Sequence, residues 1–403
     1  MKKIGLITIG TEILLGKTVN TNQTFIGNEL TKIGFQLDES ITIKDDNKTI
    51  LGAFERMCRE FDIVISTGGL GPTNDDITKK CIAKFFKKNL KFREEIWRKI
   101  EKSYTQKNME IPKIVRTQAE VPEDFITIEN NFGTAPGLHF KEKGKHFFAF
   151  PGVPSEMKPM VKNYLLPFLK NKYRNRSFYL KTIRTFGIRE AVLAEKLDYI
   201  NESKNVKIAF LPQLGKVDIR VYGSNKHEFH FTIREIKKKI KKFIYGYDDD
   251  TIPKLCHEKL IKRKKTLAIA ESCTGGLIQN LFTNHSGSSK YLLGGIVSYS
   301  NNAKMKLLNV REKTLQKFGA VSSQTIEEML KGVKKRFQCD CAIAVSGIAG
   351  PTGGSEQKPV GLVFIGINID GKNIIREYHL SGDRMQIKKK AAMSAIHLLL
   401  KNI

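Results

Sequence analysis

Residues 61–76 read FDIVISTGGLGPTNDD, and this stretch decides the fold class of the first part of the chain. Its first six residues are mostly apolar, with Ile63, Val64 and Ile65 in succession, which is typical of a buried strand, and a glycine-rich loop follows directly. From Ile77 to Phe86 the apolar residues recur at helical spacing. A strand, a loop and a helix in this order indicate an alternating β–α pattern, in which the strands of the sheet are mostly parallel.

The same order appears on both sides of this stretch. Residues 4–9 form an apolar strand, and a helix is predicted over 23–33. Residues 146–150 form another strand, which runs into the tight turn PGVPSEM (151–157). Residues 1–170 are therefore predicted to form an α/β domain with a doubly wound sheet, whose ligands lie beyond the carboxyl ends of the strands.

Two further segments complete the chain. Residues 171–250 contain two strand-like and two helical stretches, which predict a small α+β module. Residues 251–403 restart the α/β pattern, with strands predicted at 266–270 and 295–300 among others, and we expect a separate domain there.

Composition excludes some classes of protein. The 403 residues are 40% apolar and 27% charged, which is ordinary for a globular chain and excludes a fibrous or wholly disordered one. Lys and Arg number 69 against 41 Asp and Glu, a formal net charge of +28. This excess has two interpretations: lysine is simply the favoured surface residue, or the chain meets phosphate-bearing substrates or nucleic acid.

The cysteines and the hydropathy pattern indicate the cellular compartment in which the protein is expected. The six cysteines form neither a C-x-x-C pair nor a zinc spacing, so we expect no disulfide framework and a reducing compartment. The first apolar run is too short for a signal sequence, and no run approaches the roughly 20 apolar residues of a membrane span. We therefore expect a soluble, cytoplasmic protein without membrane attachment.

The loop after the strand at 61–66 has the composition of a phosphate-binding loop. Closely spaced glycines let backbone N–H groups approach an anion, and the following helix adds its positive end. Asp75 and Asp76 could hold a divalent ion such as Mg²⁺ against the phosphates, with Glu12 as a third carboxylate from a neighbouring strand end. The alternative is that Thr73 or Asp75 simply caps the helix. The predicted ligand-binding residues here are Thr67, Gly68, Gly69, Gly71 and Thr73, joined by Thr134, Pro151 and Gly152 from two tight turns that could line the same crevice.

In the last segment, ESCTGG (271–276) joins a strand to a helix, which predicts that the hydroxyl of Ser272 lies at a helix N-terminus. The alternative is that Ser272 or Thr274 is an ordinary helix cap. Tyr299 and Lys304 leave the end of the next strand, close enough in a parallel sheet to take the serine proton. The pKa of a lysine base must then fall from about 10.4 toward 7. Cys273 is a rival nucleophile, although neither loop contains a histidine to activate it.

A third loop, residues 346–361, contains five glycines in sixteen residues and the cation Lys358. Exposed N–H groups in such a loop suit a phosphate or an oxyanion, and the prolines at 351 and 359 argue against the alternative of a flexible turn. The predicted substrate-binding residues of this segment are Thr274, Gly275, Gly276, Asn301, Ser346, Gly347, Gly350, Gly353 and Gly354.

With these loops identified, the chain resembles the competence/damage-inducible CinA family over essentially its whole length. The motifs that carry the resemblance occur in the family's order: GTEILLGKTVNTN (10–22), STGGLGPTNDDIT (66–78), GTAPG (133–137), PGVPSEM (151–157), AESCTGG (270–276), VSYSNNAK (297–304), GAVS (319–322) and SGIAGPTGGSEQKPVG (346–361). The resemblance implies a molybdopterin-binding-like first domain, a KH-like middle module and a C-terminal three-layer α/β amidohydrolase domain.

The resemblance also implies activities. The family's C-terminal domain is associated with deamidation of nicotinamide mononucleotide, and its Ser, Tyr and Lys catalytic set falls on Ser272, Tyr299 and Lys304. No cofactor is implied for that reaction. The first domain is associated with hydrolysis of ADP-ribose, which would need a divalent metal (Mg, Mn or Co).

Two other functions stay open at this stage, a binding protein for competence or DNA repair and a molybdopterin-binding protein. The middle module lacks an evident G-x-x-G clamp, so nucleic acid is not the expected partner. We expect small nucleotides as ligands and a homodimer as the assembly.

Overall fold

A computed structural model describes residues 2–173, 178–200 and 205–403. The chain divides into two compact units, Met1–Leu180 with Gly223–Lys226, and Lys181–Tyr222 with His227–Ile403. The six cysteines are free thiols. Within the described ranges, no helix combines the length and the apolar character needed to cross a bilayer.

The first unit is built on a six-stranded sheet. Its strands, with a separate two-stranded ribbon of β4 and β5, are β1 (Ile4–Ile9), β2 (Glu39–Ile43), β3 (Ile63–Thr67), β4 (Leu90–Phe92), β5 (Glu120–Pro122), β6 (Ile126–Ile128), β7 (Gly137–Glu142) and β8 (Lys145–Phe150). The order in the large sheet is β2-β1-β3-β8-β7-β6. Neighbours from β2 to β8 are parallel, whereas β7 is antiparallel to both β8 and β6.

Helices cover both faces of this sheet. They are α1 (Thr11–Leu14), α2 (Thr21–Lys32), α3 (Asn47–Glu60), α4 (Thr78–Phe85), α5 (Glu94–Gln106), α6 (Pro154–Met160) and α7 (Leu166–Lys172). Alternate residues of β1 enter different cores: Ile7 packs in the cluster that contains Phe54, and Leu6 in the cluster that contains Ile26. A strand buried on both faces is what a parallel sheet between two helix layers requires, and the predicted doubly wound α/β fold is confirmed.

The second unit contains two sheets. The smaller has the order β10-β11-β9-β12 and is accompanied by two helices, as the predicted α+β module requires. Its elements are β9 (Tyr179–Thr185), α8 (Glu190–Leu197), β10 (Val206–Gln213), β11 (Lys216–Gly223), α9 (Lys226–Ile240) and β12 (Ile244–Tyr247).

The larger sheet has the order β14-β13-β15-β16-β17, parallel from β14 to β15 and antiparallel beyond. Ile269 of β13 packs in the cluster with α10 and α15, whereas Ala268 packs in the cluster with α14, so helices lie on both faces and the three-layer prediction is confirmed. The elements are α10 (Ile252–Arg263), β13 (Leu267–Glu271), α11 (Leu277–Thr283), β14 (Leu292–Val297), α12 (Asn301–Leu308), α13 (Glu312–Phe318), α14 (Ser323–Phe337), β15 (Cys341–Gly347), β16 (Leu362–Ile369), β17 (Lys372–His379) and α15 (Arg384–Asn402).

Several strand boundaries predicted above differ from the structure by one or two residues, and β14 differs by three. The strand expected over 295–300 runs from Leu292 to Val297, because Ser300 serves as the N-cap of α12 and its hydroxyl accepts a hydrogen bond from the Ala303 amide at 3.0 Å. Tyr299 therefore lies in the short loop between β14 and α12, where its side chain is not constrained by a sheet.

Candidate functional site

Ser272 directly follows β13, an interior strand of the larger sheet. Its amide donates to the Val345 carbonyl at 2.9 Å, so the residue is fixed by the neighbouring strand β15. The chain then turns through Gly275 (φ 62°) and Gly276 (φ 92°), a left-handed conformation that favours glycine, and α11 begins at the next residue.

The alternative that Ser272 or Thr274 caps α11 is wrong. The N-cap is Gly276, which has no side-chain cap. The buried carboxylate of Glu271 instead accepts hydrogen bonds from the amides of Gly276, Ile278 and Gln279 at 2.9 to 3.2 Å. Glu271 thus supplies the acceptor at the start of the helix, and the hydroxyl of Ser272 is left available for other chemistry.

Lys304 meets Ser272 in the interior. Its side chain is only 1% exposed. The ammonium donates to the Ser272 Oγ at 2.9 Å and to the Ser298 carbonyl at 2.8 Å. Burial disfavours the charged amine and lowers the pKa of Lys304 to about 8. The structure therefore pairs the predicted nucleophile with the predicted base.

Tyr299 occupies a different position from the other two. Its side chain is 62% exposed, and its hydroxyl accepts a hydrogen bond from Nη2 of Arg384 at 2.8 Å. Only the carbonyl of Tyr299 is near Lys304, at 3.4 Å from Nζ. The structure places this residue at the mouth of the site and gives no hydrogen bond from its phenol to Ser272 or Lys304 among the described residues.

Arg384 is a residue that sequence reasoning missed. Its Nη1 donates to the Gly350 carbonyl at 2.6 Å, so one guanidinium joins the phenol of Tyr299 to the third glycine-rich loop. Arg384 begins α15, whose N-cap is Asp383 in a capping box. The sequence GDR before a helical pattern was the available signal, but it shows only where a helix starts.

The third loop, residues 346–361, is held in place by hydrogen bonds to neighbouring segments. Lys358 donates to the carbonyls of Phe318 and Val321 at 2.6 and 2.8 Å, so this lysine anchors the loop and is not a free charge facing a ligand. Ser346 likewise donates to the Ala320 carbonyl at 2.7 Å. A Cβ on Gly347 would lie 2.6 Å from the side chain of Val363. The alternative of a flexible turn is therefore not supported at these anchored positions.

The remaining predicted residues of the last segment surround the turn and the loop. Thr274 is fully buried, and its hydroxyl has no hydrogen-bond partner within the described chain. Asn301 is exposed at the start of α12. Gly350 and Gly353 have positive φ, and Gly354 approaches the Val360 backbone closely. Burial raises the pKa of the Cys273 thiol to about 12, which disfavours the thiolate that this rival nucleophile would need.

The first unit has its own candidate loop after β3. A Cβ on Gly68 would lie 2.0 Å from the Ile9 carbonyl oxygen, and one on Gly69 would lie 2.1 Å from the Thr78 hydroxyl. Because neighbouring atoms leave no room for a Cβ at either position, only glycine fits there. A Cβ on Gly71 would likewise be too close to the carboxylate of Asp76.

The alternative that Thr73 or Asp75 caps α4 is wrong, because the N-cap is Ile77 without a side-chain cap. The carboxylate of Asp76 instead accepts hydrogen bonds from the amide of Thr73, at 3.0 Å, and from its hydroxyl. The hydroxyl of Thr73 also lowers the pKa of Asp75, so this carboxylate is ionised near neutral pH.

Three buried polar atoms near the ends of β1 and β3 lack a hydrogen-bond partner within the described chain: Oδ1 of Asn22, Oγ1 of Thr67 and Oγ1 of Thr78. Asn22 also donates to the Gly152 carbonyl at 2.7 Å, which ties the turn after β8 to this crevice. Pro151 is buried beside it, and Thr134 is half-buried in the loop before β7. Unsatisfied buried polar atoms are costly unless water or a ligand pairs with them.

The predicted metal ligands do not gather into one cluster. Over the described ranges, no three His, Cys, Asp or Glu side chains form a group that could hold a metal ion, and this includes Glu12, Asp75 and Asp76. Mg²⁺ is commonly held by one or two carboxylates together with substrate phosphates and water. The pair of aspartates therefore fits a metal that arrives with a phosphorylated ligand.

Comparison with known families covers the whole architecture. Residues 5–171 match the family described as "Probable molybdopterin binding domain", residues 180–247 match "Damage-inducible protein CinA KH domain", and residues 249–403 match "CinA C-terminal domain".

Relatives of full length are also similar. A "Putative competence-damage inducible protein" from Caldicellulosiruptor saccharolyticus is 38% identical over 405 residues, covering 99% of this chain and 98% of the relative. A "CinA-like protein" from Kosmotoga olearia is 38% identical over 401 residues, covering 98% and 97%. A crystal structure of CinA from Thermoplasma acidophilum, described as of unknown function, is 40% identical and covers 41% of this chain and 97% of its own, with a TM-score of 0.39. The chain belongs to the CinA family.

Proposed function

We propose that this chain hydrolyses the carboxamide of nicotinamide mononucleotide to the carboxylate and ammonia. One observation carries the proposal: a buried lysine amine, with a pKa lowered to about 8, lies 2.9 Å from the hydroxyl of a serine that directly follows an interior strand. A neutral amine in hydrogen-bond contact with a hydroxyl is an arrangement that can generate an oxygen nucleophile. The resemblance to the family supports the choice of substrate.

The first half of the reaction forms a tetrahedral adduct, which becomes an ester when ammonia leaves. Neutral Lys304 accepts the proton of Ser272, and the serine oxygen attacks the carboxamide carbon. The amides of Gly275 and Gly276 already donate to Ser272 O and Glu271, so we assign the oxyanion to the amides of Cys273 and Thr274. Each such donor contributes about 3 kcal/mol of transition-state stabilisation.

The second half returns the enzyme to its starting state. The Lys304 ammonium gives its proton to the leaving nitrogen, and ammonia departs as the carbon–nitrogen bond breaks. Water then attacks the ester with Lys304 as base, which releases the carboxylate and restores the serine hydroxyl. The side chains of Tyr299 and Arg384 lie at the mouth of this site, where they can contact the nucleotide.

The test of the proposal uses the purified chain, nicotinamide mononucleotide and an ammonia assay, with and without EDTA. The proposal predicts stoichiometric ammonia and nicotinate mononucleotide at the same rate in both reactions, because Ser272 and Lys304 carry the chemistry. A chain that releases no ammonia at any pH between 6 and 9 would contradict it.

The phenol of Tyr299 gives a further prediction. Tyr299→Phe removes the hydroxyl that accepts from Arg384, and we expect KM for nicotinamide mononucleotide to rise about 2- to 10-fold with kcat little changed, because this side chain is placed to contact the nucleotide and takes no part in the proton transfers of Lys304. Tyr104→Phe, in helix α5 of the first unit, is the matched control. Unchanged kcat and KM in Tyr299→Phe would show that the phenol is not part of the machinery.

A second activity is proposed for the first unit, hydrolysis of the pyrophosphate of ADP-ribose. The unpaired buried atoms of Asn22, Thr67 and Thr78 favour a polar ligand in this crevice. Asp75 and Asp76 would hold the divalent ion, which when bound neutralises phosphate charge. The glycine-rich loop would bind the phosphates through its backbone amides.

This second activity has its own test. Asp76→Asn removes a charge from the loop and weakens the bond with Thr73, and we expect Mg²⁺-dependent release of AMP from ADP-ribose to fall at least about 100-fold. Asp124→Asn, an exposed carboxylate paired with Lys88, is the control with the same change in charge. An Asp76→Asn variant as active as the parent would refute the assignment.

A further inference from the structure

A cavity lies between the small sheet and the helices of the last segment, within the second unit. Its volume is about 460 Å³, and β12, α10 and α15 line it. Small-molecule pockets typically measure about 300–1,000 Å³. The cavity is separate from the Ser272 site: His397, which lines it, lies 13 residues beyond Arg384 on α15, or about 20 Å along the helix at 1.5 Å per residue.

The walls of the cavity are apolar and aromatic. Ile244, Leu255 and Leu400 contribute aliphatic surface, and Tyr245 contributes a ring whose hydroxyl accepts a hydrogen bond from Lys216 at 3.2 Å. The imidazole of His397 packs against the ring of Phe186, at a centroid distance of 4.5 Å. Burial lowers the pKa of His397 to about 4, so this wall is uncharged near neutral pH. Such walls suit a flat apolar body.

The rim of the cavity is cationic. Its lining contains three lysines, Lys259, Lys262 and Lys401. The lining contains one carboxylate, that of Glu258, which is also 4.0 Å from the ammonium of Lys254. The ammonium of Lys259 donates to the main-chain oxygens of Leu400 and Ile403, at 2.9 and 2.8 Å. Within the described ranges, the ammonium groups of Lys262 and Lys401 have neither a hydrogen bond nor an ion pair. Two ammonium groups beside an apolar cavity therefore lack an anionic partner.

We propose that this cavity binds a small organic anion with a flat aromatic body, of the class of aromatic carboxylates, sulfonates or phosphate esters. The ring lies between the aliphatic side chains and Tyr245, and the anionic group meets Lys262 and Lys401. Charge complementarity selects an anion over a neutral molecule of the same shape. This inference is independent of the amidohydrolase proposal, because it uses none of the residues of the Ser272 site.

A matched pair of fluorescent probes tests it on the full chain. The anionic probe is 8-anilinonaphthalene-1-sulfonate, and N-phenyl-1-naphthylamine has the same ring system without the sulfonate. We expect the anion to bind at one site per chain and the neutral probe to bind at least about tenfold more weakly, because it lacks the attraction to the two ammonium groups. No anion binding, or equal affinity for the two probes, would overturn the proposal.

Charge variants locate the site. Lys262→Glu/Lys401→Glu is expected to weaken binding of the anion at least about tenfold, and Lys262→Gln/Lys401→Gln to weaken it less. Lys331→Glu/Lys335→Glu, two exposed lysines of α14, makes the same change in net charge and should leave the affinity unchanged. Unaltered thermal unfolding shows that each variant is folded. Equal loss in both Glu double variants, or loss in neither, would place the probe elsewhere and refute the proposal.

Discussion

Ser272→Ala is expected to abolish ammonia release from nicotinamide mononucleotide, with kcat at least about 10⁴-fold below that of the parent. The reason is local: the variant removes the oxygen that accepts the hydrogen bond of Lys304, and no other hydroxyl of the described chain hydrogen-bonds to that amine. The buried surroundings of Ser272 change by one atom, so the fold should persist. Coupled ammonia assays at saturating substrate measure the effect.

The neighbouring thiol provides the control. Cys273→Ala should retain kcat within about threefold, because the buried thiol has a pKa of about 12 and does not supply a nucleophile. If Cys273→Ala lost activity and Ser272→Ala kept it, the roles of the two residues would have to be exchanged.

Lys304→Met is expected to lower kcat about 10³- to 10⁴-fold while the chain stays folded. Methionine keeps the length and the apolar stem of the side chain but removes the amine that takes the proton, and general-base catalysis contributes about 10²- to 10⁴-fold. The loss of a buried charged amine should not destabilise the fold strongly, because burial already disfavours the charge. Lys306→Met, an exposed lysine of the same helix, is the control.

The same residue sets the pH dependence. The amine accepts a proton only when it is neutral, and its neutral fraction increases as pH rises through about 8. Activity of the parent should therefore rise from pH 6 to 9 with a midpoint near 8. The residual activity of Lys304→Met should not show this rise. A parent rate that declines over that interval would assign the amine a different role.

Much of the fold could be predicted from the sequence because its central strands are buried on both faces. Continuous apolar runs such as residues 63–65 and 341–345 strongly favour buried strands. The edge strands were less predictable. The residues of β17 are exposed or half-buried throughout, and apolar and polar residues alternate only weakly along it. The end of β14 was misplaced because a serine cap, rather than hydropathy, determines where α12 begins.

The candidate site could be predicted where it follows from topology. Ser272 and Lys304 follow adjacent parallel strands, β13 and β14, so their loops had to meet at one edge of the sheet. The bond between Arg384 and Tyr299 spans 85 residues and depends on side-chain conformations at the end of α15. The use of Lys358 as a loop anchor depends in the same way on packing, which sequence patterns do not reveal.

The ionisation of Lys304 can be measured directly, by ¹³C NMR of the chain carrying ε-¹³C-labelled lysine, with the signal assigned by its absence in Lys304→Met. We expect the Lys304 signal, identified by that absence, to titrate near pH 8, well below the ordinary value of about 10.4. A Lys304 signal that titrates at pH 10 or above would mean that the amine is an ammonium at neutral pH, and it would contradict the activation of Ser272 on which the proposed reaction depends.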